Sequence, residues 1–245
     1  MALIAGNWKM FRGPAATRDF FDQLDLTDVP DRNELVIFPP SISLQAAVAA
    51  RPARVRVGVQ NIHWEDEGAF TGEVSAAMAR QVGADLALIG HSERRHLFGE
   101  TDEQVAWKTG AAIRHGLVPV VCVGETLAER RAGLVEEVIL RQLDAALPEL
   151  AAAVRALVAY EPVWAIGTGE NATPEDASSA HATLRRRLGE GLGAQAQGRF
   201  SILYGGSVKP GNAAELLAAD HVDGVLVGGA SVDPAAFVEI ARAAP

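Results

Sequence analysis

The chain has 245 residues, 49% hydrophobic and 22% charged, which admits one barrel-sized domain or two smaller ones. Its 22 Lys and Arg against 31 Asp and Glu leave a net charge of −9, which argues against a broad polyanion-binding surface because nucleic acid calls for clustered cations. A bilayer span needs about 18 consecutive apolar residues, and the richest stretch, Leu150 to Tyr160, is broken by Arg155.

In chain order, the first apolar run is LIAGN at Leu3, followed by the loop Asn7-Trp8-Lys9. The N-terminal stretch Ala2 to Ala5 is too short for a secretory core, so no cleaved leader is expected. Further runs are LVIF at Leu35, VRVGVQ at Val55, LALIG at Leu86, VPVVCV at Val118, ALVAY at Ala156, FSILY at Phe200 and GVLVG at Gly224. Continuous apolar runs are what parallel strands buried on both faces look like, and the longer amphipathic stretches between them suit crossover helices. Helix starts are expected where Thr101 precedes Gln104, Thr173 precedes Asp176 and Asn212 precedes Glu215, with Pro174 and Pro234 in first turns. Arg185, Arg186 and Arg187 read as a solvated helix face.

Eight strand–helix units in a chain of this length predict an α/β fold, a (β/α)8 barrel forming a single domain over residues 1–245. An open doubly wound sheet is less well supported, since no G-x-G-x-x-G follows the first strand and no linker divides the chain. In a barrel, substrate sites gather at the C-terminal strand ends, and the segments there carry chemistry: Asn7-Trp8-Lys9, Gly90-His91-Ser92-Glu93, Tyr160-Glu161-Pro162, Tyr204-Gly205-Gly206-Ser207 and Val227-Gly228-Gly229. A lysine, a histidine and a carboxylate on separate strand ends suit proton abstraction beside a carbonyl, with one base and two groups that stabilise the enediolate. Glycine loops after the last two strands let the backbone approach a phosphate. The only lysines are Lys9, Lys108 and Lys209, so a retained lysine at the first strand end hints that a compact ammonium is wanted there.

The motifs NWKM at Asn7, GAFTGE at Gly68, GHSERR at Gly90, AYEPVWAIGTG at Ala159, YGGSVKP at Tyr204 and VGGAS at Val227 together resemble the triosephosphate isomerase family, in order and across essentially the whole chain. The resemblance implies interconversion of glyceraldehyde 3-phosphate and dihydroxyacetone phosphate without a cofactor. It implies Glu161 as general base and His91 as neutral electrophile, a pairing for which this family is itself the standard worked example. Lys9 would face the developing negative charge, Asn7 would orient the oxygens and Glu93 would hold Lys9. The main-chain amides of Gly167, Ser207, Gly228 and Gly229 would grip the phosphate, and residues 162–172 would form a lid, also a standard feature of this family. The loop carrying Phe70 and Thr71 would insert into a second copy to make a homodimer.

Ser92 and Arg94 read as supporting groups. Cys122, the single cysteine, reads as a packed thiol, and with no partner for a disulfide it points to a cytoplasmic protein. No metal is expected, because His91 and His96 are five apart and no H-E-x-x-H occurs. Two departures from the family pattern stand out: Phe11 after NWKM, and Glu170 followed by Asn171 in the lid. Other readings are a different sugar-phosphate isomerase barrel, with paired acids on the first and fifth strands, and a non-catalytic barrel scaffold. Here those two strands end in Asn7 and Cys122, and the base, histidine and lysine are all present.

Overall fold

In the computed structural model, which describes residues 2–166, 172–193 and 198–244, all eight apolar runs are strands. They are β1 (Leu3–Asn7), β2 (Glu34–Phe38), β3 (Val55–Val59), β4 (Leu86–Ile89), β5 (Val118–Val123), β6 (Ala156–Tyr160), β7 (Phe200–Tyr204) and β8 (Gly224–Val227). Each pairs in parallel with the next, and Leu3 pairs with Glu34 on one side and Gly224 on the other, so the sheet closes as a barrel in chain order.

Alternation along each strand sorts the apolar side chains into two cores. Leu3, Ala5, Val36, Phe38, Leu88 and Leu157 face the barrel interior, whereas Ile4, Leu35, Ile37, Ala87 and Val158 pack outward under the helices. Burial on both faces is the physical reason the strands read as unbroken apolar runs. The interior is tightly fitted: a methyl on Gly58 of β3 would land 2.2 Å from Phe38 Cε1, so this strand leaves its inward position empty to admit the ring.

The outer layer is formed by α1 (Pro14–Asp22), α2 (Leu44–Ala50), α3 (Ala76–Val82), α4 (Ser92–Phe98) and α5 (Asp102–Arg114). It continues with α6 (Leu127–Arg131), α7 (Val135–Leu150), α8 (Pro174–Leu192), α9 (Pro210–Ala218) and α10 (Pro234–Arg242). Among the described residues, no helix is long and apolar enough to cross a membrane.

Capping boxes occur at Thr101–Gln104 and Thr173–Asp176 as expected, and Pro174 and Pro234 open their helices. A third box, Thr126–Glu129, starts α6. The expected cap at Asn212 is corrected: α9 already begins at Pro210, and Asn212 sits in its first turn, where Oδ1 accepts the Lys209 N–H at 2.8 Å. The three arginines of α8 lie on its outer side, paired with Asp223, Glu136 and Asp144 respectively.

Candidate active site

The first strand ends in a short, strained turn. Asn7, the last residue of β1, accepts the Lys9 N–H on Oδ1 at 3.0 Å, and Lys9 takes a left-handed backbone with φ of 51°. A non-glycine residue in that region costs on the order of 1–3 kcal/mol, so its surroundings must hold it there. The side-chain amide of Gln60, just past β3, donates to the carbonyls of Lys9 at 2.9 Å and Phe38 at 2.8 Å. Trp8, fully buried against Phe20, donates its indole N–H to Ser231 O at 2.9 Å and so ties this turn to the loop after β8. Lys9 Nζ lies 2.6 Å from Glu93 Oε1, and a methyl on Gly228 would meet Lys9 Cε at 3.6 Å. The ammonium therefore sits between the β4 and β8 ends.

His91 precedes α4 and caps it: its Nδ1 accepts the Glu93 N–H at 3.2 Å. A ring nitrogen that accepts carries no proton, so this contact selects the neutral tautomer with hydrogen on Nε2. Nε2 lies 3.0 Å from Glu161 Oε1. Burial pushes the His91 pKa down, while the Glu161 carboxylate pushes it up far enough to hold it above the ordinary histidine value. The raising influence comes chiefly from Glu161; burial opposes it, and the backbone donor to Nδ1 favours the neutral ring.

Glu161 follows β6 and is almost wholly enclosed, at 2% exposure. Burial alone would raise its pKa, but His91, the Ser92 N–H donated to Oε2 at 2.9 Å, and Lys9 together hold it below the usual carboxylate value. It is thus an ionised, poorly hydrated carboxylate, the state a general base requires. Two glycines make room for it. A methyl on Gly205 would sit 2.8 Å from Glu161 Cγ, and one on Gly124 would sit 1.8 Å from the Glu161 carbonyl oxygen. Cys122 is fully buried nearby, and desolvation together with the Glu161 charge pushes its thiol pKa well up, so it packs as an uncharged group.

Asn7, Lys9, Gln60, His91 and Glu93 line a cavity of about 330 Å³, near the lower end of small-molecule sites. The structure thus brings Asn7, Lys9, His91, Glu93 and Glu161 together at strand ends. Ser207 and Gly228–Gly229 stand at the ends of β7 and β8, in the loops expected to take phosphate. Gly167 lies outside the described residues, as do Glu170 and Asn171. Phe11 is more than half exposed, and Phe70 and Thr71 lie on an exposed loop where the Phe70 ring rests 4.1 Å from that of His63.

Supporting groups emerge whose partners the motifs do not reveal. Arg95 is largely buried and donates to Gly90 O at 2.8 Å and Cys122 O at 3.0 Å while pairing with Asp102, which fastens the β4 end to the β5 end. Glu125, fully buried, accepts from Tyr160 Oη at 3.1 Å and from the Trp164 indole at 2.8 Å. Arg130 stacks on that indole at 4.5 Å and pairs with Asp176. The start of the expected lid is therefore anchored to α6 and α8.

Fold and strand-end chemistry place the chain among the barrel enzymes that isomerise aldoses and ketoses. It belongs to the triosephosphate isomerase family: the family model described as Triosephosphate isomerase matches residues 2–244. It is 48% identical over 242 residues to a triosephosphate isomerase of Solibacter usitatus, covering 97% of each chain. To the triosephosphate isomerase of Moorella thermoacetica it is 50% identical over 241 residues, covering 97% of this chain and 96% of that one.

Proposed function

We propose that this chain interconverts D-glyceraldehyde 3-phosphate and dihydroxyacetone phosphate through an enediolate, serving glycolysis and gluconeogenesis without a cofactor. Glu161 takes the proton from the carbon beside the carbonyl and returns it to the neighbouring carbon. His91 donates its Nε2 hydrogen to the substrate oxygen, Lys9 faces the developing negative charge, and Asn7 orients the oxygens. Glu93 holds the Lys9 ammonium at 2.6 Å, and the amides of Gly167, Ser207, Gly228 and Gly229 bind phosphate.

The observation that carries this reading is the 3.0 Å approach of His91 Nε2 to Glu161 Oε1. A base and a hydrogen-bond donor that meet in one space can, when a substrate separates them, act on adjacent atoms of it. A carboxylate that has already lost its proton needs no prior activation. Lid closure over residues 162–172 would exclude water and protect the enediolate from losing its phosphate.

The working form in this reading is a cytoplasmic homodimer of single-domain chains spanning residues 1–245, joined through the loop of Phe70 and Thr71. Phe70 is not alone at the surface: Met10, Leu97 and Phe98 are each more than two-thirds exposed, an apolar display that a second copy would cover. The decisive experiment is a coupled spectrophotometric assay run in both directions without added metal. Isomerisation at enzyme-like rates is expected, and its absence from a folded preparation would overturn the reading.

A further inference from the structure

A buried amide on the far side of the barrel wall bears on the base. Gly124, directly after β5, packs against the Glu161 backbone so closely that any Cβ would lie 1.8 Å from the Glu161 carbonyl oxygen and 2.6 Å from its carbon. On either side of that contact the two segments are joined: the Glu161 N–H donates to Val123 O at 2.7 Å, and the Val163 N–H donates to Glu125 O at 3.0 Å. The strip 123–125 is thus a backbone template for residues 161–163, which carry the base and begin the lid.

The template is itself held by one side chain. Gln142 of α7 is 4% exposed, and its amide takes both polar groups of Gly124: the Gly124 N–H donates to Oε1 at 2.7 Å, and Nε2 donates to the Gly124 carbonyl at 3.2 Å. Only a planar group with an acceptor and a donor side by side can do this, so the side chain stands in for a neighbouring strand. A buried peptide stripped of these partners would shift to find others.

We propose that Gln142 is a positioning residue for Glu161, setting through Gly124 the place of the carboxylate. Its amide is engaged with Gly124 and touches no reacting atom. The inference rests on the isomerase reading above. Its signature is therefore a loss in kcat with substrate affinity retained, since a misplaced base slows proton transfer while Lys9 and the phosphate amides still bind.

Two variants test this beside the wild-type enzyme. Gln142→Met keeps the volume and removes both bonds, and Gln142→Leu removes both with a shorter, branched side chain. Each should remain folded by circular dichroism and lose roughly a hundredfold in kcat, the scale of an ångström-sized misplacement, with KM within about twofold. Amide hydrogen exchange at Gly124 should quicken in both variants while that at residues of β1 and β8 does not. A folded variant with kcat within about twofold of wild type would overturn the inference, as would KM and kcat changing in equal proportion. Failure of both variants to fold would overturn it too, making Gln142 a requirement of the fold. An inactive wild-type enzyme would instead count against the isomerase reading.

Discussion

Lys9 Nζ rests 2.6 Å from Glu93 Oε1, and the backbone N–H of that same Glu93 is the donor that fixes the His91 ring at 3.2 Å. One residue at the start of α4 thereby sets both the ammonium and the imidazole. Lys9→Met should preserve the fold and lower kcat/KM by roughly 10²- to 10³-fold, the usual cost of removing one group that stabilises an oxyanion. Glu93→Gln should cost less, because the backbone donor to His91 survives. Steady-state kinetics of the two variants check the order, and an Lys9→Met enzyme within tenfold of wild type would contradict the role given to Lys9.

The surface loop makes a separate prediction. Thr71→Arg would carry a charge into the proposed dimer interface, beside Phe70 and Phe98, which line one surface cavity with Thr71. The variant should dissociate at concentrations where the wild type stays paired, and activity should fall with it. Sedimentation at nanomolar concentrations reads this directly; an unchanged dimer would refute the assigned interface, and a monomeric wild type would refute dimerisation itself.

The proposed lid bears on product identity. Its first turn, residues 163–165, is tethered through the Trp164 indole and Glu125. Replacing residues 166–169 with a shortened linker should lower isomerisation sharply, weaken binding of an enediolate mimic and raise the fraction of methylglyoxal, while circular dichroism stays native-like. A wild-type product ratio in the shortened variant would show that water exclusion by this segment does not govern the outcome.

Acid stability should depend on a histidine far from the chemistry. His181 of α8 is fully buried beside Tyr160, with Nδ1 3.2 Å from His221 O, and burial drops its pKa to about 4 from the ordinary 6.5. Between these values the unfolded chain binds a proton that the folded chain does not, so stability falls as the pH falls through that window. The full effect is about 3 kcal/mol. Urea unfolding from pH 7 to 4 should show this slope in the wild type and a flatter one in His181→Gln; equal slopes would remove His181 as a source.

Much of this was legible in the sequence because the barrel writes itself in a simple code. Strands buried on both faces appear as unbroken apolar runs, and the loops that follow them carry the candidate reactive residues, so Glu161, His91 and Lys9 are legible at strand ends from the sequence alone. The groups that hold them could not. Gln142 reads as one polar residue on an amphipathic helix, and only closure of the barrel brings α7 against the end of β5. Gln60, Arg95 and Glu125 are hidden in the same way, because each has a partner far along the chain: 22 residues for Gln60 and Phe38, 27 for Arg95 and Cys122, 39 for Glu125 and Trp164. The start of α9 differs from the sequence expectation for a local reason: an asparagine with a glutamate three residues on fits a cap, but Pro210 already marks the helix's first position.

The proposed reaction depends on one base. Glu161→Gln keeps the volume and the acceptor for the Ser92 N–H while removing the charge that draws the proton, so the protein should fold normally and still bind an enediolate mimic. Measured in the coupled assay, its kcat should fall by several orders of magnitude. Turnover within tenfold of wild type, in a protein verified as folded and free of wild-type contamination, would contradict the assignment of Glu161 as the group that moves the proton.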